Sequence, residues 1–284
     1  MGRGSQSSLW SSTLNTPQPQ STQKSPTQGI PRSSRVALFL RQTFSSLRYQ
    51  NYRLWFVGQT VSLFGTWMQR TAQGYLIYEL TKSPVYLGYV GFAYGIPSWI
   101  FMLYGGVIAD RVSRQKVLLG TQISMMILAF ILAGLAFTGV VQPWQIIILA
   151  FLLGCANAFD APARQAFVTD LVERNDLTNA IALNSSMINM ATVLGPAIAG
   201  LTYAAFGPAW CFMINGLSFI AVILALSLMK LPPFQSISRQ VSISTEVKQG
   251  FAYVATKPII RTIILNLGIL SLAGLGFVTL LPVW

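Results

Sequence analysis

The chain has 284 residues, 53% of them hydrophobic and 9% charged, with no His and a net charge of +12. A soluble domain carries roughly 25% charged residues, so this composition points to a membrane-embedded chain and away from a water-soluble one. Without His the usual general base and commonest metal ligand are missing, and no G-x-x-x-x-G-K-[ST] phosphate loop occurs. An enzyme, an ATP-driven machine and a metal or cofactor site are therefore not expected.

Residues 1–34 are mostly Ser, Thr, Gln and Pro, with no acid and few apolar side chains. Such a segment cannot bury enough surface to order itself and reads as a disordered cytoplasmic tail. It has no apolar stretch of the secretory type, and Gln6 stands where a myristoylation signal needs Ser or Thr. Over 35–49, Val36, Phe39, Leu40, Phe44 and Leu47 are spaced for one helical face, with Arg35, Arg41 and Arg48 beside them. This is the pattern of a basic amphipathic helix lying on the membrane surface, or of an ordinary solvated lead-in.

Seven apolar stretches follow, at 54–79, 84–108, 117–140, 143–163, 179–205, 210–229 and 259–283. Each has about the 20 residues that a helix needs to cross a bilayer. Seventeen of the 19 Lys and Arg residues fall in the tail, in alternate connections or at the span end that borders one of them; Lys82 lies on the other side and Arg70 deep inside a span. The positive-inside rule then puts the N-terminus in the cytoplasm of a multi-pass plasma-membrane protein. The basic loops meet anionic membrane lipid, which accounts for the net charge without nucleic acid. Trp144, Trp210 and Trp284 fall at outer ends and Trp55 at an inner end, where amphipathic rings collect. Short outer turns such as Phe206–Ala209 predict antiparallel neighbours. Cys155 and Cys211 lie in different spans and read as small core residues. The connection 230–258 is the longest. Ser244 can cap a helix there, with Val247, Phe251 and Val254 on one face, predicting a second in-plane helix before the last segment, 259–284.

Several polar residues stand out against the apolar background. In the first span Gln59, Ser62, Thr66, Gln69 and Gln73 recur at spacings that make one stripe. Arg70 adjoins it near mid-membrane, where a charge must face protein or water. The stripe lines an aqueous cavity or serves as interhelical glue; Trp67 beside it stacks on a substrate or packs. In the fourth span Asn157, Asp160 and Arg164 share a face, with Pro162 weakening the ladder between them. Asp160 and Arg164 make either a helix-end ion pair or a gate. The fifth span carries Ser185 and Asn189 on one face, then Gly195 and Pro196, with Gly200 four residues on. Gly-Pro kinks a helix and admits a close neighbour; Gly91, Gly95 and Pro97 suggest the same in the second span.

The connection Gly106-x-x-x-Asp110-Arg111-x-Ser113-Arg114-x-Lys116 resembles the loop signature of the major facilitator superfamily, G-x-x-x-D-R-x-G-R-x-K, with Ser113 replacing a Gly. Ala191–Gly200 is similar to that superfamily's antiporter motif at Gly195, Pro196 and Gly200, with Ala191 and Ala199 in place of glycines. Phe64–Gln69 and Asn157–Leu183 look like the branch that holds siderophore and macrolide exporters. The resemblance implies an all-α membrane protein, the N-terminal six-helix half of a facilitator bundle at 50–229 with a seventh transmembrane helix that begins a second half; on this reading the chain is a fragment. It implies a conformational lock in which Asp110 pairs across the cytoplasmic face, with Gly106, Arg111, Arg114, Lys116 and Arg164 in its network. It implies transport of an amphipathic small molecule by alternating access with a proton as the coupling ion, and export over uptake because of the Gly-Pro motif. A non-transporting membrane scaffold is the alternative of another class.

Overall fold

The structure, a computed structural model, describes residues 44–231 and 243–280, and within the second range the side chains of 245, 248 and 252–270. These residues belong to the unit Arg41–Trp284; the other unit, Met1–Leu40, lies outside the described residues. So do the expected tail at 1–34, most of the expected surface helix at 35–49, and Trp284.

Eight α-helices occur among the described residues: α1 Gln50–Thr81, α2 Pro84–Arg111, α3 Arg114–Phe137, α4 Pro143–Asp170, α5 Leu177–Phe206, α6 Pro208–Leu228, α7 Ile243–Thr256 and α8 Pro258–Leu280. The first six apolar stretches become α1 to α6, with ends that differ from the stretches by up to seven residues, and α8 covers the described part of the seventh. Five, α2 to α6, are long and apolar enough to cross a membrane. The 32-residue α1 is long enough but more polar, because the Gln and Ser stripe dilutes its apolar content. Helix ends follow local chemistry. Pro84, Pro143 and Pro208 occupy first helical positions, where the missing N–H costs nothing. Gly207, at φ 84°, joins α5 to α6 in a conformation that other residues avoid. At the start of α4, Gln142 and Gln145 form a reciprocal cap, with the Gln142 amide donating to Gln145 Oε1 at 2.7 Å.

The surface is apolar and the interior partly polar, the reverse of a soluble protein. Phe92, Trp99, Val193 and Leu201 are each more than two-thirds exposed, while Gln59, Gln69, Gln122, Asp160 and Asn215 are buried. Apolar exposure of that extent suits contact with lipid or with other protein and not with water. Trp144 and Trp210 are exposed at the starts of α4 and α6. Trp55 departs from expectation: it is buried, with its ring 5.2 Å from that of Phe167 in an edge-to-face contact. A Trp near a helix end faces lipid only if its helix does, and this part of α1 is central.

Consecutive helices pack to very different extents, α3 with α4 closely and α1 with α2 little. The most extensive contacts pair α2 with α4, α1 with α6, α3 with α6 and α1 with α5. Glycines select these pairs. A Cβ on Gly105 would strike the Ala158 carbonyl and one on Gly154 would strike the Tyr94 carbonyl, so α2 and α4 approach through reciprocal glycines. On α1, a Cβ on Gly58 would lie 2.9 Å from Ala225 Cβ. Gly95, expected to make such a contact, faces open space.

Two large apolar clusters close the bundle at its ends. One holds Tyr52, Trp55, Leu118, Phe167 and Leu226. The other holds Leu76, Ile77, Leu132, Ile146 and Phe212. The first lies at the end where α1 begins, here the proximal end, and the second at the distal end. A polar layer lies between them.

Candidate functional site

The polar layer surrounds a cavity of about 160 Å³. From α1 it receives Gln59, Ser62, Thr66, Trp67 and Arg70; from α4, Asn157, Asp160 and Arg164; from α3, Gln122 and Met125; from α5 and α6, Ile188 and Phe219. The polar faces of α1 and α4 thus meet at one place, although 90 residues separate Arg70 from Asp160.

The first-span stripe divides between its two expected uses. Gln59, Ser62, Thr66 and Arg70 line the cavity. Gln69 faces α6 instead and accepts a hydrogen bond from the Asn215 side-chain amide at 2.6 Å, which makes it interhelical glue. Gln73 is buried away from the cavity. Trp67 lines the cavity and also packs against α5, its Cβ 2.5 Å from the position a Cβ on Gly195 would take.

Asp160 is a buried carboxylate, not a surface helix-end group. It accepts hydrogen bonds from Thr121 Oγ1 and Gln122 Nε2, each at 2.9 Å, and pairs with Arg164 at 3.3 Å. A charge removed from water is tolerable only with such partners. Arg70 is held by aromatic groups. Its guanidinium donates to the Tyr94 hydroxyl and lies 5.2 Å from the Trp67 ring centre and 4.6 Å from that of Tyr94. Gln59 Oε1, Gln122 Oε1 and Arg70 Nε are buried without a hydrogen-bond partner among the described residues. Unpaired buried polar atoms are costly, and here they border space that a ligand or water can enter.

The loop signature lies at the proximal end. Arg114 binds Asp170 at 2.7 Å and the Ala166 carbonyl at 3.2 Å, tying α3 to the end of α4, and reaches Asp110 at 3.7 Å. The Asp110 side chain is 70% exposed. Arg164 is committed to Asp160, one turn away on its own helix, and not to Asp110. Gly106 has open space where a side chain would stand. Lys116 lies in a separate, open groove between α3 and α4. Ser185, Asn189 and Gly200 are on exposed parts of α5, outside this cavity. Helix α5 runs through Pro196 without interruption.

The residues just before α1 are docked onto protein. Ser45–Arg48 form a single 3-10 turn. The Ser46 hydroxyl donates to Asn179 Oδ1 at 2.8 Å, and Arg48 and Tyr49 both donate to Asp176 Oδ2. Hydrogen bonds from the Ser45 and Tyr49 side chains, with the Arg48 charge nearby, hold the Asp176 carboxyl below its ordinary range.

Sequence reasoning passed over Tyr94, Thr121, Gln122 and Asn215. The last three were within reach of the rule that found the α1 stripe. Thr121 and Gln122 interrupt an apolar span, and Asn215 and Ser218 stand three apart in another.

A family profile described as transmembrane secretion effector, in the MFS_3 group, matches residues 41–284. The chain belongs to this family of the major facilitator superfamily. Among relatives, the staphyloferrin A transporter of Staphylococcus aureus is 29% identical over 81% of this chain and 58% of its own length. The macrolide efflux protein A of Streptococcus pyogenes is 25% identical over 67% of this chain and 47% of its own. The enterobactin exporter of Shigella boydii is 28% identical over 78% of this chain and 53% of its own. This facilitator chain spans about half the length of the curated relatives it matches. These relatives are named as transporters, not as catalysts, and the five long apolar helices mark a multi-pass membrane protein.

Proposed function

We propose that this facilitator chain serves a secondary transporter of the plasma membrane that exports amphipathic small molecules by alternating access, driven by proton antiport, with its N-terminus cytoplasmic. The observation that carries the reading is the cavity between α1 and α4. It is lined by polar side chains from both helices, among them Gln59, Ser62, Thr66 and Arg70 of α1 and Asn157, Asp160 and Arg164 of α4, and lies between two apolar clusters. Such an arrangement suits a binding site reached from one side at a time. Kinship with siderophore and macrolide exporters supports the small-molecule substrate.

Asp160 is the carboxylate best placed to carry the proton. It lines the cavity, and its charge is balanced by Arg164, whose bond a proton would release. The basic residues of the proximal end, among them Arg53, Arg111, Arg114 and Lys116, against Lys82 at the distal end, support the cytoplasmic orientation of that end. The Arg114–Asp170 bridge, with Asp110 beside it, is the proposed lock on one conformation.

The test is efflux from cells that make the full chain. Loaded fluorescent amphiphiles should leave faster than from cells without it, and a protonophore should abolish the difference. Equal efflux with and without the chain would contradict the reading.

A further inference from the structure

The charges around the cavity do not cancel. Asp160 and Arg164 neutralise each other, whereas Arg70 has no carboxylate within ion-pair distance among the described residues. By the helical rise of about 1.5 Å per residue, Arg70 lies roughly 16 Å before the end of α1, about half of a hydrocarbon core of ~30 Å. A lone guanidinium at that depth is expensive. The rings of Trp67 and Tyr94 offset only part of its charge, and its Nε has no partner among the described residues. The Gln122 amide is oriented by the bond its Nε2 gives Asp160, which leaves its unpaired Oε1 as a hydrogen-bond acceptor.

We infer that the site takes a substrate with a negatively charged oxygen group, a carboxylate above all, joined to a ring or apolar body that bears a hydroxyl or amide donor. This rests on the transport reading above and narrows it. The guanidinium fork matches a carboxylate in two parallel hydrogen bonds. Trp67, Met125, Ile188 and Phe219 line the same cavity and supply apolar surface for the body. The donor satisfies Gln122 Oε1. A cationic amphiphile of equal size meets the surplus positive charge and is rejected, which is how a site discriminates by repulsion as well as attraction.

The experiment is equilibrium binding to the full chain in lipid nanodiscs, with radiolabelled 4-hydroxybenzoate as anionic probe and radiolabelled tetraphenylphosphonium as cationic probe. The wild-type chain should bind 4-hydroxybenzoate in preference, with affinity falling as chloride rises. Arg70→Gln should weaken it roughly tenfold or more, the scale of a lost charge-assisted hydrogen bond, while Arg70→Lys should lie between. The wild-type comparison of the two probes needs no variant to fold. Preference for the cation, or 4-hydroxybenzoate binding unchanged in Arg70→Gln, overturns the inference; if the cation is then also exported, the transport reading survives. Binding of neither probe and export of neither overturns both.

Discussion

Arg164 stands 3.3 Å from the Asp160 carboxylate, one turn along α4, and the pair is nearly dry: the side chains are 19% and 2% exposed. Thr121 and Gln122 complete the carboxylate's hydrogen bonds from α3. Losing one partner of a buried pair strands the other at a cost of about 3–5 kcal/mol.

Asp160→Asn should therefore reach the membrane but unfold at a lower temperature in detergent. The loss should be smaller than that for Asp160→Ala, because an amide still accepts from Thr121. Adding Arg164→Gln to Asp160→Asn should recover stability, since no unpaired charge remains. A thermal-unfolding series on the three variants checks this; equal melting of Asp160→Asn and wild type would show that the pair is not a structural unit.

Gln69 and Asn215 should behave as packing residues. A double-mutant cycle with alanine at both should give a coupling of about 0.6 kcal/mol, up to roughly 1.7, as polar contacts between membrane helices do. Substrate binding should not change. In contrast, Thr66→Val on the cavity wall should alter substrate affinity with little effect on melting.

The glycine contacts make a sharper steric prediction. Gly154→Leu should prevent assembly, because its side chain would occupy the space of the Tyr94 backbone, whereas Gly95→Leu should be accepted. Size-exclusion profiles of the two variants separate the cases, and a monodisperse Gly154→Leu protein would contradict the α2–α4 crossing.

Asp110→Asn should lower transport while changing stability by less than about 1 kcal/mol. The carboxylate is 70% exposed and 3.7 Å from Arg114, and exposed pairs contribute little. Transport at the wild-type rate would remove Asp110 from the lock.

The docking of the turn before α1 should depend on pH in the acid range. Asp176 has a folded pKa below the ordinary 3.8, so its charge supports the docked state above that value, and the support disappears as the pH falls through the lowered folded pKa. The Ser46 amide, which donates to Asn179 Oδ1, should keep its hydrogen-exchange protection from neutral pH to about pH 4 and lose it below. Asp176→Asn should show reduced protection throughout.

The helices were legible because apolar runs of bilayer length have few alternatives. Their full extents were not: α4 continues from 163 to Asp170, where Arg114 binds its last residue. The α1 stripe was legible as polar spacing, but not its division, since whether Gln69 meets a cavity or Asn215 depends on which helix lies opposite. That partner is chosen by backbone approach at Gly58, Gly105 and Gly154, a contact that depends on helices distant in sequence. A span that ends at 163 puts Asp160 near the membrane surface; on the longer helix it is a buried wall of the cavity.

The most direct measurement is proton movement in proteoliposomes that hold the full chain, with a pH-sensitive dye inside, on addition of a transported substrate. The expected result is proton flux that starts with substrate, runs opposite to it, and disappears in Asp160→Asn although that variant still binds substrate. Substrate movement with no proton flux, or proton flux unchanged in Asp160→Asn, would contradict proton antiport through this cavity.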